Sequence, residues 1–361
     1  MQKNSKIYVA GHNGLVGSAI LKNLMEKGYN NFVLRSFSEL DLRSQTAVDD
    51  FFETEKPEYV FMAAAKVGGI MANNTYRAQF IYENLMVQNN VIHNSWKSGV
   101  KKLLFLGSTC VYPRESAQPM REDSLLTAPL EYTNEPYAIA KIAGIKMCES
   151  YNLQYGTNFL SVMPTNLYGP NDNFNLETSH VLPALIRKVY LGKCLENNDW
   201  SAIRRDLKKR PLEEVNGDSS IDQILSKLST YGVNKSSVNT TSVEIWGTGA
   251  PKREFLWSEE MADACVFIME NVDFKDVAAK SAEVRNTHIN IGTGKEISIK
   301  DLAELVKCKI DFGGDLIFNS SKPSGSLRKL TDPSKLNSFG WHHKIEIEEG
   351  IGKLFNWYLN N

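Results

Sequence analysis

Net charge is nearly absent from this sequence. Its 361 residues carry 41 Lys and Arg against 42 Asp and Glu, a formal net charge of -1. That balance argues against a nucleic-acid partner, because phosphate backbones are bound through a basic field. No apolar run approaches the roughly 18 to 20 residues that span a bilayer, so no membrane partner is expected. Met1 to Lys6 is short, polar and runs straight into a strand, so no signal peptide is expected either. Cysteine is scarce: Cys110, Cys148, Cys194, Cys265 and Cys308 are scattered, with no CxxC pair. An odd, dispersed set argues against a disulfide framework or a metal site and favours the reducing cytoplasm. What is present is apolar material for a core, 42% hydrophobic against 23% charged, which excludes disorder as the whole description. This length predicts two domains, or one large domain with an appended lobe.

The first half alternates short apolar runs with longer amphipathic ones. Strands are expected at Lys6 to Ala10, Asn31 to Arg35, Tyr59 to Ala63, Lys102 to Leu106 and Asn158 to Met163. Helices are expected at Leu15 to Lys27, Ala47 to Glu55, Thr75 to Lys97 and Tyr137 to Tyr155. Strands alternating with helices imply right-handed crossovers and a parallel sheet covered on both faces, a doubly wound α/β fold of the Rossmann type. Residues 1–165 form its first domain, with later segments completing the sheet. Residues 166–361 form mainly a smaller α/β lobe.

That lobe is less regular. Val181 to Leu191, Glu260 to Glu270 and Ile299 to Lys307 read as helices, and Ser242 to Trp246 as a strand. The stretch from about 196 to 241 reads as a partly ordered insertion. It holds a basic cluster (Arg204, Arg205, Lys208, Lys209, Arg210), a Ser/Asn/Thr-rich run, and one short helix marked by Ile221, Ile224, Leu225 and Leu228. The cluster reads as a solvated helix face rather than a phosphate site. No internal repeat is visible.

Chemistry enters at Gly11-His12-Asn13-Gly14-Leu15-Val16-Gly17, between the first strand and the first helix. Glycines at this spacing permit a tight turn, close approach to a pyrophosphate and helix–sheet packing. The helix start offers unbonded N–H groups and a positive dipole end to phosphates. The second strand ends in Arg35-Ser36, where a protein selective for the unphosphorylated dinucleotide places an acid. A cation and a hydroxyl suit a 2′-phosphate, so the expected cofactor is NADPH. Asp41 and Leu42 fall near the adenine edge, and Ala63-Ala64-Ala65 is small enough for the dinucleotide to lie against the backbone. Tyr137 and Lys141 stand four apart on a helix and share a face. An ammonium so placed is expected to lower the phenol pKa, and such a Tyr can protonate a carbonyl oxygen as hydride reaches carbon. Ser108, in Gly107-Ser108-Thr109 after the fourth strand, can complete a hydrogen-bonded triad on that oxygen.

With these motifs the chain resembles the extended short-chain dehydrogenase/reductase family. Within it, the chain is similar to the NADPH-dependent epimerase/reductases that convert GDP-4-keto-6-deoxy-mannose to GDP-L-fucose. The resemblance is carried by AAAKVGGIMANNTY (Ala63 to Tyr76), LLFLGSTCVYP (Leu103 to Pro113), NEPYAIAKIAGIKMCESY (Asn134 to Tyr151), SVMPTNLYGPNDNF (Ser161 to Phe174), WGTGAPKREFL (Trp246 to Leu256) and the run Ser321 to Leu330. It implies that Cys110 and His180 are the acid/base pair inverting C3 and C5. A 4-keto group acidifies the hydrogens on both neighbouring carbons. It further implies Pro164, Asn166, Leu167 and His180 at the cofactor, and Asn166, Arg187, Lys188, Trp246, Arg253 and Lys329 at the GDP-sugar. A homodimer built on the helices of Phe80 to Trp96 and Ala140 to Tyr151 is implied as well.

The chain also departs from that pattern. Asn13 stands where an Arg commonly follows Gly-His, Thr109 replaces a Ser, and Lys322-Pro323-Ser324-Gly325 replaces KPDG. The insertion has no family counterpart. Two activities therefore stay open: reduction with epimerisation, or C4 reduction alone of a related GDP-4-keto sugar such as a 6-deoxy-heptose. A non-catalytic nucleotide-sugar-binding protein is the remote third reading, and Ser108, Tyr137 and Lys141 argue against it.

Overall fold

The computed structural model describes residues 1–236, 240–278, 283–322 and 327–361. In chain order the elements are β1 (Ile7–Ala10), α1 (Leu15–Glu26), β2 (Phe32–Val33), α2 (Gln45–Glu55), β3 (Tyr59–Met62), α3 (Ile70–Thr75), α4 (Arg77–Lys97), β4 (Lys102–Leu106), α5 (Glu135–Tyr155), β5 (Phe159–Pro164) and β6 (Asn166–Tyr168). They continue with α6 (Val181–Glu196), α7 (Trp200–Lys209), α8 (Ile221–Thr230), β7 (Val233–Lys235), β8 (Thr241–Trp246), β9 (Lys252–Arg253), β10 (Phe255–Trp257) and α9 (Ser258–Asn271). Last come α10 (Phe274–Ala278), β11 (Ile289–Ile291), β12 (Ile297–Ser298), α11 (Ile299–Ile310), β13 (Asp315–Asn319), α12 (Ser334–Ser338) and α13 (Ile347–Asn360). Two compact units result. The first holds Met1–Asn171, Glu254–Lys295 and Leu330–Glu346; the second holds Asp172–Arg253, Glu296–Lys329 and Ile347–Asn361.

The first unit is built on a six-stranded sheet in the order β11-β5-β4-β3-β1-β2, with every pairing parallel. Side chains alternate between its two faces, as a pleated strand requires. Ile7, Val9, Leu104 and Leu160 pack with Ile20 and Leu24 of α1 and Met261 and Cys265 of α9. Tyr8, Leu103, Phe105 and Phe159 pack instead with Phe52 of α2, Val91 of α4 and Ile145 of α5. Sheets buried on both faces read as continuous apolar runs, which is why β1 and β4 were legible. The strand order reverses at β1 and β3, so the crevice beyond their carboxyl ends is the topological switch point where such sheets bind ligands.

Boundaries depart from expectation where local bonds intervene. The helix expected over 75–97 is α4, which starts at Arg77, and a further short helix, α3, precedes it and meets it at Tyr76 (φ -104°, ψ 39°). Asn73 turns its amide onto the Gly68 and Gly69 carbonyls at 2.6 and 3.0 Å, which ties α3 to its own start. The long helix α5 begins two residues before Tyr137 because Pro136 pre-sets its first turn, and it ends at Gly156 with φ 67°.

In the second unit, β8 pairs in parallel with β13 and antiparallel with β7. The insertion is folded, which corrects the expectation of a partly ordered segment with one helix. Its α7 and α8 enclose Ile203, Leu207, Leu212, Val215, Ile224 and Leu228 against Leu191 and Leu195 of α6, and its β7 adds an edge strand. Residues 237–239, within it, lie outside the described residues. Ser220 forms a capping box with Gln223 and opens α8. The basic cluster serves the insertion itself. Arg204 donates to the Gly217 and Ser219 carbonyls at 2.6 and 2.9 Å, and Lys208 pairs with Asp218 at 2.9 Å.

Candidate active site

The glycine turn joins β1 to α1 at the switch point, and its three glycines have different reasons. Gly11 has φ 81°, and a Cβ there would stand 2.8 Å from the Ala64 nitrogen. A Cβ at Gly17 would fall 2.0 Å from the Gly11 oxygen, so α1 could not close on the turn. Gly14 has no such neighbour: a Cβ would meet only the Gly11 oxygen, at 3.5 Å. Packing does not require Gly14, and the exposed side it leaves open admits a ligand. Gly14 is also the N-cap of α1, with no side-chain cap and no acid in the first turn. The N–H groups of Leu15, Val16 and Gly17 lack the carbonyl partners of a helix interior and face outward. These features fit a dinucleotide pyrophosphate. Asn13 is exposed beside them, and Ala63, Ala64 and Ala65 are half-buried across the crevice.

At the end of β2, Arg35 is half-buried. Its Nη2 bonds Glu55 at 2.5 Å and its Nη1 bonds the Leu34 carbonyl at 2.8 Å. Lys6 shares Glu55 at 2.7 Å. Two of the five guanidinium N–H groups are engaged this way, so the fork keeps donors for a phosphate. Ser36 turns its N–H and Oγ onto Glu39 at 2.7 and 2.6 Å. Asp41 receives Arg43 through Nε at 2.9 Å and Nη2 at 2.8 Å, and the Leu42 carbonyl receives Asn90 at 2.9 Å. Asp41 and Leu42 thus also shape their own loop.

Beyond β4 and on α5 stand Ser108, Tyr137 and Lys141, the residues expected to serve reduction. Ser108 caps the short turn Thr109–Val111, and its Oγ accepts the Cys110 N–H at 3.4 Å. A Cβ on Gly144 would stand 2.4 Å from the Phe105 ring, so α5 lies close on β4 and carries Tyr137 and Lys141 to the strand end. Lys141 is buried, donates to the Leu106 carbonyl at 2.7 Å, and lies 4.8 Å from the Phe105 ring centre and 5.8 Å from that of Tyr137. Phe80 meets the Tyr137 ring edge-on at 6.2 Å. The expected lowering of the Tyr137 pKa is not what this arrangement produces. Burial raises the phenol above its ordinary value, and the Cys110 charge adds to the rise. The reason is geometric: the ammonium bonds a backbone carbonyl and lies over rings, so desolvation outweighs its attraction for a phenolate. Burial also pushes Lys141 down to about 8, against a smaller upward pull from Cys110. Pro164 is buried at the end of β5, and Asn166 and Leu167 are half-buried on β6.

In the second unit, His180 is the exposed N-cap of α6. Arg187, two turns on, is fully buried. Its Nε and Nη2 bond Asp206 of α7 at 3.0 and 2.9 Å, its Nη1 bonds the Phe174 carbonyl at 3.0 Å, and Nη2 also reaches the Arg210 carbonyl. Tyr358 donates to the other Asp206 oxygen. This corrects Arg187 as a GDP-sugar ligand: the guanidinium is enclosed and anchors the insertion to α6. The next residue, Lys188, remains available. It is half-buried, bonds the Glu244 carbonyl at 2.5 Å, and burial pushes it down to about 8. Trp246 ends β8 with 55% of its surface exposed, and Arg253 on β9 is half-buried with Nη1 on the Lys252 carbonyl at 2.7 Å. Lys329 follows a stretch, 323–326, that lies outside the described residues, and with it the Ser324 departure. Among the described residues no His, Cys, Asp and Glu group is arranged to hold a metal, and no helix is long and apolar enough to cross a membrane.

Two acids escaped the sequence reading: Glu55, which holds Arg35, and Glu254, which is fully buried. The signal for the second was an acid directly before the apolar run Phe255-Leu256-Trp257.

Comparison with known proteins places this geometry. A profile of the NAD dependent epimerase/dehydratase family matches residues 7–207 and 213–292. GDP-L-fucose synthase 1 of Arabidopsis thaliana is 48% identical over 359 residues, which cover 99% of this chain and 94% of that protein. The crystal structure of a GDP-6-OMe-4-keto-L-xylo-heptose reductase from Campylobacter jejuni is 48% identical, with a TM-score of 0.92 over 100% of this chain and 99% of that one. That of a GDP-D-glycero-L-gluco-heptose synthase from Campylobacter jejuni, determined in the presence of NADPH, is 47% identical, with a TM-score of 0.91 over 99% of each chain.

Proposed function

The chain belongs to the NAD dependent epimerase/dehydratase family, and from that premise we propose that it is an NADPH-dependent oxidoreductase of nucleotide-sugar synthesis. It epimerises C3 and C5 of a GDP-4-keto-6-deoxy-mannose and reduces C4 to give GDP-L-fucose. The observation that carries the reading is the Tyr137–Lys141 face held against the end of β4 beside Ser108, in a chain near-identical in extent to a GDP-L-fucose synthase.

Bound NADPH supplies the hydride. The uncapped start of α1 and the open side of Gly14 hold its pyrophosphate, and Asp41, Leu42, Ala63, Ala64, Pro164, Asn166 and Leu167 line its path. Tyr137 holds a proton for the C4 oxygen, Ser108 donates a hydrogen bond to the same oxygen, and Lys141 keeps positive charge beside it. For inversion, Cys110 removes a proton from the carbon next to the keto group and His180 returns one from the other face. Lys188, Trp246, Arg253 and Lys329 hold the GDP-sugar, the cations on diphosphate and the indole against a ring.

Arg35 reads the 2′-phosphate. Arg35→Ala should raise the KM for NADPH by about 10- to 150-fold, the worth of one charge-assisted contact, and leave the KM for NADH nearly unchanged. Steady-state kinetics with both cofactors checks this, and equal effects would remove Arg35 from phosphate recognition. The protein is a cytoplasmic homodimer in this reading. Support comes from Tyr82, Ile139, Leu153 and Tyr155, large side chains that α4 and α5 leave exposed.

The Campylobacter structures favour a second reading, C4 reduction of a GDP-4-keto-heptose without epimerisation. A panel of GDP-4-keto sugars, followed by NADPH absorbance and product NMR, separates the two. GDP-L-fucose from the 6-deoxy-mannose substrate supports the first; turnover of heptose substrates alone replaces it with the second.

A further inference from the structure

Glu254 is 0% exposed. Both oxygens of its carboxylate accept from neutral donors. Oε1 accepts the N–H groups of Thr293 and Gly294 at 2.6 and 2.8 Å, with the Thr293 hydroxyl at 3.4 Å. Oε2 accepts the N–H and hydroxyl of Thr331 at 2.9 and 2.7 Å. The Glu254 carbonyl accepts the Asn166 amide at 2.8 Å and the Thr165 hydroxyl at 3.4 Å. Gly292 makes the cluster possible, since a Cβ there would lie 2.1 Å from the Thr331 hydroxyl and 2.4 Å from Oε1.

An ion this deeply buried is costly unless every oxygen is bonded, so it strongly fixes whatever supplies the donors. Three segments supply the donors, Thr165–Asn166, Thr293–Gly294 and Thr331, and the chain on either side of the cluster leads to residues assigned above to the sugar nucleotide. Arg253 is the residue before Glu254, Lys329 stands two before Thr331, and Asn166 bonds the Glu254 carbonyl directly. The register reinforces this, because Phe255 pairs with Asn166 in the parallel β6–β10 ladder.

We propose that Glu254 is a positioning residue for the GDP-sugar, an anionic hub that sets the backbone from which Arg253 and Lys329 reach the substrate. It touches neither substrate nor cofactor. The inference rests on the function proposed above, and the test keeps the two apart. Thr331→Val removes one hydroxyl donor and keeps the shape; Thr331→Ser restores the hydroxyl; Glu254→Gln removes the charge. The KM for the GDP-4-keto sugar should rise about 10-fold or more in Thr331→Val and Glu254→Gln, the scale for a bond to a buried charge. It should return to within about 2-fold of wild type in Thr331→Ser. The KM for NADPH and kcat at saturating sugar should stay within about 3-fold, a split that a general loss of fold does not produce. An unchanged sugar KM in Thr331→Val, or a parallel rise in NADPH KM, overturns the proposal. If Glu254→Gln does not fold, the Thr331 pair still decides. Arg253→Ala calibrates the reading beneath: no effect on sugar KM there removes Arg253 from the substrate site. A rise there with none in Thr331→Val rejects the positioning role alone.

Discussion

Tyr137→Phe is expected to lower turnover of the 4-keto sugar by about 10²- to 10⁴-fold, the range for losing a general acid. The substitution removes one hydroxyl and keeps the ring, so the edge-on contact with Phe80 and the approach of Lys141 to the ring survive. NADPH binding, measured by fluorescence titration, should change little. The raised phenol pKa suits this role, since it keeps the proton on Tyr137 at neutral pH until the substrate oxygen needs it. Lys141 adds a pH signature. Its folded pKa lies near 8, so its ammonium is intact at neutral pH and is lost as pH rises through about 8. Reduction at saturating substrates should therefore fall on an alkaline limb near that value in the wild-type protein. Turnover of Tyr137→Phe within about 10-fold of wild type would remove Tyr137 from the chemistry.

The parts of the fold legible in the sequence were those in which neighbouring residues carry the pattern. Strand β1 is four buried residues in a row, and β4 five, so apolar runs marked them. Gly11 and Gly17 are demanded by contacts within the turn they occupy. Tyr137 and Lys141 are one helical turn apart. What escaped depends on partners distant in sequence. Arg187 reads as a substrate cation until Asp206, nineteen residues on in a different helix, is seen to enclose it. The Tyr137 pKa moves up rather than down because burial, with the Cys110 charge added, governs it, while the Lys141 ammonium bonds the carbonyl of Leu106, thirty-five residues earlier. Glu254 gathers donors 39, 40 and 77 residues away, which no local spacing announces. The insertion was misjudged for the opposite reason: its polar composition is local, but the apolar positions that fold it are completed by Leu191 and Leu195 of α6.

Cys110→Ser should abolish exchange of solvent deuterium into C3 and C5 of the 4-keto sugar, yet leave NADPH oxidation in place. The two chemistries use different atoms. In the proposed mechanism Cys110 and His180 act on C–H bonds, whereas Tyr137 acts on the oxygen at C4, so removing the former pair should leave the proton donor for reduction intact. A thiol ionises near 8.5 and can serve as a base near neutrality; a hydroxyl in its place cannot. The turn that carries Cys110 should survive, because Ser108 caps it through the Cys110 backbone N–H rather than its side chain. The product then retains the configuration of the substrate at both carbons, which NMR of the purified nucleotide sugar reads directly. His180→Asn should still allow partial exchange, since Cys110 can remove a proton, but no inverted product should accumulate. His180 sits at the exposed N-cap of α6, where Asn is itself a favoured cap, so the helix start is preserved and the loss is chemical. Absence of exchange in the wild-type protein with every GDP-4-keto sugar would remove the epimerase step. Reduction alone, as the heptose reductase likeness favours, would then stand, with Tyr137, Lys141 and Ser108 unchanged in their roles.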